Sequence, residues 1–211
     1  MSSRIEGEKS SYRKKMDRHV TERRNQLLDV SAQVFSQKGL HQTTMDDVAE
    51  NLGVAKIVLY RYFGSRSGLI HAILDRVVNR ILEEDKKDFT WWGEAIHRNT
   101  LVARENAPDM LLLLRHSAHD PDYSSHFQKY HKKLVQRTTK RLKEIWIEPR
   151  HMPVDTDFCS KTILMFIYDA LARWLETGDP AKDREFAVWV TDSIQAWSDK
   201  WGEGPLDPTG N

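Results

Sequence analysis

Residues 43–63 read TTMDDVAENLGVAKIVLYRYF, and this stretch decides the fold. Thr44 stands three residues before Asp47, a spacing at which the hydroxyl caps free backbone N–H groups at the positive end of a helix. Gly53 then stops a short helix and predicts a tight turn. A second short helix is expected over residues 56–62. Two short helices joined by such a turn predict a helix-turn-helix.

The sequence on either side supplies a third helix and a stop. Over residues 21–38 apolar side chains recur at steps of three and four, which is the spacing of a helix with one buried face. Gly39 is placed to end that helix as a left-handed residue. On the other side, Gly64-Ser65 interrupts the pattern before a longer helix begins near residue 67.

The helical spacing continues beyond residue 85 and strand signals are nearly absent, so the sequence predicts an all-α protein. One join is well marked: Gly178 is expected just past the end of a helix, Asp179 as the cap of the next and Pro180 as its first residue. The helices of this part are expected over residues 91–105, 108–118, 121–148, 155–177 and 180–201.

The charge excludes one class of nucleic-acid protein but not another. The 211 residues carry 32 basic and 31 acidic side chains, a net charge of +1, which excludes a uniformly basic coat. Up to Arg66 the chain holds 12 basic and 8 acidic residues, a net charge of +4, and the remainder carries −3. The first 24 residues, with 8 basic and 4 acidic, hold all of that +4. A basic segment on a neutral body is therefore compatible with the sequence.

No part of the sequence is expected to enter a membrane or the secretory route. The longest apolar run, residues 163–168, is far shorter than the roughly 20 residues that span a bilayer. The basic start of the chain has no apolar segment behind it, unlike a secretory signal. The single cysteine, Cys159, is expected as a buried thiol in a reducing compartment. These features predict a cytoplasmic protein.

In a helix-turn-helix, the second helix places side chains of its first turn in the major groove while its partner crosses the backbone. Lys56 stands in that first turn. Tyr60, Arg61 and Tyr62 follow as hydrogen-bond donors, and Arg66 stands at the start of the next helix, where the helix dipole also attracts a phosphate. The alternative for Tyr60 and Tyr62 is packing in the core.

The segment resembles the DNA-binding region of the tetracycline-repressor (TetR) family of bacterial transcriptional regulators. The resemblance covers about residues 21–70, and the rest of the chain matches only in its all-helical layout and length. It rests on Phe35, Gly39, residues 43–49, residues 52–54, residues 59–63, Ser65, Arg66 and Leu69. It implies a homodimer whose small N-terminal domains read two half-sites. It also implies a larger helical body that binds an effector and dimerises through its last two helices.

The resemblance completes the expected division of the chain. Residues 1–20, polar and without helical period, are expected as a flexible basic arm that either lies along the DNA or is only a solvated tail. Residues 21–66 are expected as the helix-turn-helix DNA-binding domain, and residues 67–201 as the effector-binding and dimerisation domain. Residues 202–211, rich in Gly and Pro, are expected as a disordered tail.

The resemblance also implies which residues meet DNA. Phosphate contacts fall on Thr44, Tyr60, Tyr62 and Arg66. Base contacts fall on Lys56, Ile57 and Val58. Family members often carry a small or hydroxyl residue at the position of Ile57, so the more apolar run of this chain predicts methyl contacts to thymine instead of hydrogen bonds.

The last two helices carry more apolar surface than one small body covers, which predicts an interface between two protomers. The alternative is that these residues form the internal core of one protomer. The stripe comprises Ile163, Ile167, Leu171, Trp174, Phe186, Val190, Ile194 and Trp197.

The middle helices are the expected effector cavity by resemblance. Apolar side chains with a few polar tips are typical of small-molecule sites and favour an apolar or aromatic effector. Each candidate has core packing as its alternative. The candidates are Trp91, Trp92, Leu113, His116, His119, Tyr123, Phe127, Tyr130 and Phe166.

These observations predict a DNA-binding transcriptional regulator and not an enzyme. We expect a homodimeric repressor of a pseudopalindromic operator in double-stranded DNA, released when a small effector shifts the population off DNA. No cofactor, metal or membrane partner is expected. One alternative is a DNA-binding activator or architectural protein without an effector. Another is a helical metal-dependent enzyme that uses His116 and His119, whose spacing could place both on one helical face.

Overall fold

The computed structural model describes residues 2–145 and 154–202. This part of the chain is helical and contains no strand, which confirms the predicted all-α class. Among these residues no helix has both the length and the apolar character that a bilayer span requires. The helices are α1 (Ser2–Lys38), α2 (Met45–Leu52), α3 (Lys56–Phe63), α4 (Arg66–Glu84), α5 (Trp92–Glu105), α6 (Ala107–Leu111), α7 (Ser124–Ile145), α8 (Thr156–Thr177) and α9 (Asp183–Gly202).

The chain divides into two compact units, one up to Ile73 and one from Leu74 onward. The division falls inside α4, later than the boundary expected at residue 66. The reason is that the first turns of α4, with the fully buried Leu69 and Ile70, belong to the first unit.

The N-terminal segment is helical from Ser2 onward, as part of α1, where a flexible arm was expected over residues 1–20. The segment contains no proline and is rich in Arg, Lys and Glu, which are good helix formers. It extends a helix that the apolar stripe of residues 27–35 supports, and lengthening a helix is easier than starting one. Residues 15–23 are exposed, so no apolar stripe marks the extension. Of the predicted tail 202–211, everything after Gly202 lies outside the described residues.

The first unit has a small core between its short helices. Gly39 has a φ of 86°, which confirms the predicted left-handed end of α1. The fully buried side chains of this core include Leu27, Leu28, Phe35, Val48 and Leu59.

In the second unit, α5 packs against α9 and α7 packs against α8. The helix expected over residues 108–118 is divided, because α6 continues as a π-helical segment, Leu112–Ser117. α7 begins later than the expected residue 121, because the Asp120 carboxylate accepts the backbone N–H groups of Asp122 and Tyr123 at 2.9 and 3.2 Å. These bonds stabilise a turn that precedes the helix.

The join at Gly178-Asp179-Pro180 occurs where expected, but glycine is needed there for a different reason. Asp179 accepts the Ala181 N–H, and Pro180 begins a 3-10 turn, Pro180–Lys182, that leads into α9. Gly178 has a φ of −80°, outside the left-handed region. A Cβ at this position would lie 2.3 Å from the indole ring of Trp174. Close packing of Trp174 against the backbone therefore requires glycine.

Two buried ion pairs tie the helices of the second unit together. The Arg76 guanidinium donates to both carboxylate oxygens of Asp109, at 2.7 and 2.8 Å. Arg104 donates to both oxygens of Asp183, at 2.7 and 3.2 Å, and the Trp174 indole N–H donates to the same carboxylate at 2.6 Å. These pairs connect α4 to α6 and α5 to the start of α9, and they fix the framework around the interior.

Candidate nucleic-acid interface and internal cavity

α2 begins with the capping arrangement that the sequence predicts. The Thr44 hydroxyl oxygen accepts the Asp47 N–H at 3.1 Å, and the Thr44 N–H donates to the Asp47 carboxylate at 2.7 Å. Lys38 donates to the other oxygen of that carboxylate at 2.7 Å. Hydrogen bonds from Lys38 and Thr44 hold the pKa of Asp47 well below its usual range. The carboxylate therefore stays ionised at the positive end of α2.

Glycines form the turns on both sides of α3. Gly53 and Gly64 have φ values of 62° and 74°, in the left-handed region where a side chain would be strained. Only residues 53–55 separate α2 from α3, and the Val54 N–H reaches back to the Ala49 carbonyl at 3.1 Å. The predicted helix-turn-helix is confirmed.

One side of α3 is anchored in the core and the other is open to solvent. Leu59 is fully buried, whereas Ile57 is 71% exposed. Val58 and Tyr62 are half-buried. The exposed residues share one helical face, which we call the reading surface: Lys56, Ile57, Tyr60 and Arg61.

A carboxylate of α2 holds Lys56. The Lys56 ammonium lies 2.8 and 2.9 Å from the two oxygens of Asp46. This hydrogen bond raises the pKa of Lys56. Because both side chains are largely exposed, the pair contributes little to stability. The Asp46 carboxylate nevertheless orients Lys56 and offsets its charge. Lys56 is one of the two cations of the reading surface, with Arg61.

Arg66 supports the fold of the first unit. Its Nε donates to the Thr43 carbonyl at 2.8 Å, and a second nitrogen donates to the Leu40 carbonyl. The guanidinium lies over the Phe35 ring, 5.6 Å from its centroid. Arg66 thus fixes the loop before α2, and two of its donors are committed inside the unit. This geometry does not favour the predicted phosphate contact.

Two other predicted phosphate contacts are also engaged within the unit. The Thr44 hydroxyl donates to the Asp47 carboxylate at 2.7 Å, in addition to its capping role. The Tyr62 ring packs against Phe63, with centroids 6.1 Å apart. Contacts of Thr44 and Tyr62 with DNA stay predictions.

The second unit contains a partly open cavity of about 70 Å³ between parts of α4 to α9. Its walls are mostly apolar, with polar groups in a minority, as is usual for ligand sites. The apolar lining includes Ile81, Trp92, Ile96, Met110, Leu134, Leu164, Ile167, Leu171 and Phe186. The polar lining is Asp85, Asn99, Thr100, Tyr130, Thr138, Arg141 and Tyr168.

The charged groups of the cavity wall are paired with each other. Asp85, which is buried, accepts a hydrogen bond from Arg137 at 2.6 Å and one from Arg141 at 3.3 Å. Arg141 also donates to the Asp85 backbone carbonyl at 3.1 Å, and its guanidinium lies over the Phe89 ring. Both arginines are therefore held by one carboxylate.

Two tyrosines stand side by side in the wall, with ring centroids 5.2 Å apart. Burial raises the pKa values of Tyr130 and Tyr168, so both phenols stay protonated. The Tyr168 hydroxyl lies 3.3 Å from Nδ1 of His131. Tyr168 also borders a second depression of about 140 Å³, shared with His119 and Phe127.

The structure brings together only some of the predicted lining residues. Trp92 and Tyr130 line the first cavity, and His119 and Phe127 line the second depression. The other five residues line neither of these two cavities, and their contact with an effector stays a prediction. Leu113 and Tyr123 are buried in the core, whereas His116 is half-buried and Trp91 is exposed. Phe166 packs against Trp197, with ring centroids 4.7 Å apart.

Sequence patterns did not indicate most of the polar lining, namely Asp85, Asn99, Thr138, Arg141 and Tyr168. Tyr168 alone had a usable signal, because helical spacing places it on the same face as Leu164 and Leu171. The others belong to polar stretches that resemble ordinary solvated helix faces.

α8 and α9 expose an apolar face, but it differs from the predicted one. Ile163, Leu171, Phe186 and Val190 are buried within the protomer, as the alternative of an internal core predicts, and their contact with a second protomer stays a prediction. Ile167, Trp174, Ile194 and Trp197 are half-buried. The exposed apolar residues, which we call the outer face, are Phe158, Met165, Val188 and Trp189.

The alternative of a metal-dependent enzyme finds no ligand set in the described residues. In residues 2–145 and 154–202, no three His, Cys, Asp or Glu side chains come together as a metal site requires. His116 and His119 are not joined by a third ligand there.

A short, exposed helix that follows a capped helix across a left-handed turn defines the helix-turn-helix class of DNA-binding proteins. Residues 27–73 match the family model described as bacterial regulatory proteins, tetR family. This match falls largely on residues 21–70, the segment that carries the resemblance to the same family.

Two curated relatives match over short stretches of the chain. The chain is 43% identical over 61 residues to FasR, an HTH-type transcriptional activator of Mycolicibacterium smegmatis, which covers 29% of this chain and 28% of FasR. It is 38% identical over 52 residues to KstR2, an HTH-type transcriptional repressor of Rhodococcus jostii, with coverage of 25% and 26%. The chain thus spans little more than a quarter of the length of these two relatives.

A solved structure matches over most of the fold. FadR of Bacillus subtilis, crystallised with stearoyl-CoA, superposes with a TM-score of 0.58 and 16% sequence identity. The match covers 80% of this chain and 96% of FadR. At this identity the likeness concerns the fold.

Proposed function

We propose that the protein regulates transcription by binding double-stranded DNA through α3, as a homodimer on a pseudopalindromic operator. The observation that carries this proposal is the reading surface, where two cations, a phenol and an isoleucine face solvent on one side of a helix anchored by Leu59. Arg61 and Tyr60 supply donors for phosphates or base edges. Ile57 supplies an apolar tip that suits the thymine methyl group.

Substitutions on the reading surface test this assignment. Tyr60→Phe removes one donor and should weaken binding to all DNA sequences alike, by about tenfold for two heads. Lys56→Ala should also change the preference among sequences, because Lys56 stands in the first turn of α3. The measurement is fluorescence anisotropy at fixed salt, with an operator selected from a random DNA pool and single-base variants of it.

The matched control is Lys38→Ala. Lys38 is also a lysine paired with a carboxylate of α2, but it lies at the end of α1, away from the reading surface. It should leave sequence preference unchanged. If both reading-surface variants bound the selected operator like the parent, the site assignment would be incorrect.

The second unit is proposed to bind a small effector that releases the protein from DNA. The cavity supports this, since apolar walls with a few polar groups are typical of ligand sites. FadR, of similar fold, holds stearoyl-CoA. A cavity of about 70 Å³ cannot take an eighteen-carbon chain without large movement of its walls, so we propose a smaller effector.

We propose that the protein represses transcription rather than activating it. Occupation of an operator is enough for repression, whereas activation needs a further surface that contacts the transcription machinery. Activation is the second candidate because FasR, 43% identical in the matched segment, is an activator. In vitro transcription from a template that carries the selected operator separates the two.

We propose that the outer face joins two protomers. Trp189 is 54% exposed and borders a groove of about 430 Å³ with Trp174, Phe186 and Ala170. Phe158 and Met165 are further exposed apolar residues of α8. Exposed apolar area of this kind favours association.

Trp189→Glu tests this surface. A carboxylate in the centre of an apolar interface lacks a partner, so we expect the dimer dissociation constant to rise by at least a hundredfold. Sedimentation equilibrium measures it. Trp91→Glu is the control, because Trp91 is 44% exposed but lies at the start of α5. Equal dimer strength in Trp189→Glu and the parent would refute the assignment of the outer face.

A further inference from the structure

Asn99 of α5 lines the internal cavity and holds an unused hydrogen-bond acceptor. Its Nδ2 donates to the Ala95 carbonyl at 3.0 Å. Because a carbonyl only accepts, this bond fixes which end of the amide is nitrogen. The Oδ1 atom is buried and receives no hydrogen bond from the residues that the structure describes.

A buried acceptor without a donor opposes folding. The amide oxygen has lost its water and gains no bond in return, whereas an apolar side chain of similar shape has no such loss. The helix α5 does not require an amide at this position. The Nδ2 atom of Asn99 donates to the Ala95 carbonyl, which is already the acceptor of a backbone hydrogen bond of the helix. The acceptor is therefore open to a donor that the described residues do not supply.

The rest of the polar wall does not supply the missing donor. Arg141 donates to the Asp85 carboxylate and to the Asp85 backbone carbonyl, and it shares that carboxylate with Arg137. The Thr100 hydroxyl donates to the Ile96 carbonyl at 2.9 Å. A ligand carboxylate or other fully ionised acid would offer no donor to Oδ1 of Asn99, so the unused acceptor favours a ligand with an O–H or N–H group.

The size of the cavity limits the ligand. An engineered cavity of about 150 Å³ holds benzene, and this cavity measures about 70 Å³. A ligand of one ring therefore fits only with outward movement of the apolar walls, and a larger one requires more movement. The walls near the ligand body are Ile96, Leu164 and Phe186.

We propose that this cavity binds a small neutral molecule with an apolar body no larger than about one ring and one O–H or N–H group, which donates to Oδ1 of Asn99. The inference rests on the proposed function only in taking the cavity as the effector site. The Tyr130 phenol also lines the cavity.

Phenol and toluene test this proposal, because they have the same size and differ in a hydroxyl against a methyl group. An apolar cavity prefers toluene, since a hydroxyl without a partner loses its hydration. We expect the parent protein to bind phenol at least tenfold more tightly than toluene. The measurement is the rise of the melting temperature with the concentration of each compound, which yields both dissociation constants.

Asn99→Leu should reverse this order, so that toluene binds more tightly than phenol. Its melting temperature without ligand should equal or exceed that of the parent, because the unused acceptor is gone. Asn79→Leu is the matched control, since Asn79 is exposed on α4 in the same unit. It should keep the parent's preference for phenol.

Three results would overturn the proposal: a parent that prefers toluene, a parent that binds neither compound at millimolar concentration, or an Asn99→Leu variant that melts well below the parent. The last would show that Asn99 serves the fold. None of these measurements involves DNA, so a failure of the DNA-binding proposal would be seen separately in the anisotropy experiment.

Discussion

Asp109→Ala is expected to lower the free energy of unfolding of the second unit by about 3–5 kcal/mol. Arg76 and Asp109 form a bidentate pair at 2.7 and 2.8 Å, with side chains that are 10% and 2% exposed. Removal of the carboxylate leaves the Arg76 guanidinium in the interior without its paired charge. The attraction that it loses is not replaced by water, so the loss exceeds the usual effect of a deleted surface charge.

Urea denaturation followed by far-UV circular dichroism measures this change. Asp169→Ala is the matched control, because Asp169 also pairs with arginines, at 2.8 Å to Arg173 and 3.1 Å to Arg115, but is half exposed. Exposed pairs contribute about 0–1 kcal/mol, so this variant should unfold almost like the parent. Equal losses in the two variants would contradict the role given to burial.

Ile57→Glu should weaken operator binding by roughly a thousandfold without affecting stability. The side chain is 71% exposed at the start of α3, so the substitution removes no core contact. On DNA, however, it places a carboxylate among phosphates and removes an apolar contact. A change of about 2 kcal/mol at each half-site amounts to about 4 kcal/mol for two heads.

Leu101→Glu is the control for Ile57→Glu. Leu101 is 42% exposed on α5 and carries the same change of charge outside the reading surface. Anisotropy at fixed salt should give a parent-like dissociation constant for Leu101→Glu, and both variants should melt with the parent. If Ile57→Glu bound the operator as strongly as the parent, the assignment of α3 to the DNA interface would be incorrect.

The first unit could be predicted from the sequence because its signals are local. Thr44 and Asp47 cap α2 through groups three residues apart, and Gly53 bends the chain where its own backbone is left-handed. Leu59 is buried and anchors α3, since a short helix needs only about one apolar position per turn for this. These features need no knowledge of distant residues.

The features that could not be predicted depend on distant contacts. Arg66 binds carbonyls more than twenty positions earlier, at Leu40 and Thr43, and its position at a helix start indicates only a general preference for anions. Ile163 and Val190 have the apolar pattern that an interface would also show, and only the packing of the whole unit places them inside. The position of Gly178 was predicted correctly. Glycine is needed there because a Cβ atom would collide with the ring of Trp174.

The same limit applies to the cavity. Asn99 and Asp85 have nothing in their neighbouring sequence that separates them from solvated residues. Their surroundings come from helices that are far apart along the chain. A cavity is a space left between elements, and the sequence specifies it only through the complete fold.

The two lysines beside α2 bear on the time that the protein spends at DNA sites other than its operator. Lys38 and Lys56 are each held by a carboxylate, Asp47 and Asp46, within hydrogen-bond distance. Binding to arbitrary sequence depends almost entirely on cations that displace counterions from phosphates. Because these pairs reduce that contribution, we expect short visits to each of the many competing sites in a genome and a faster search for the operator.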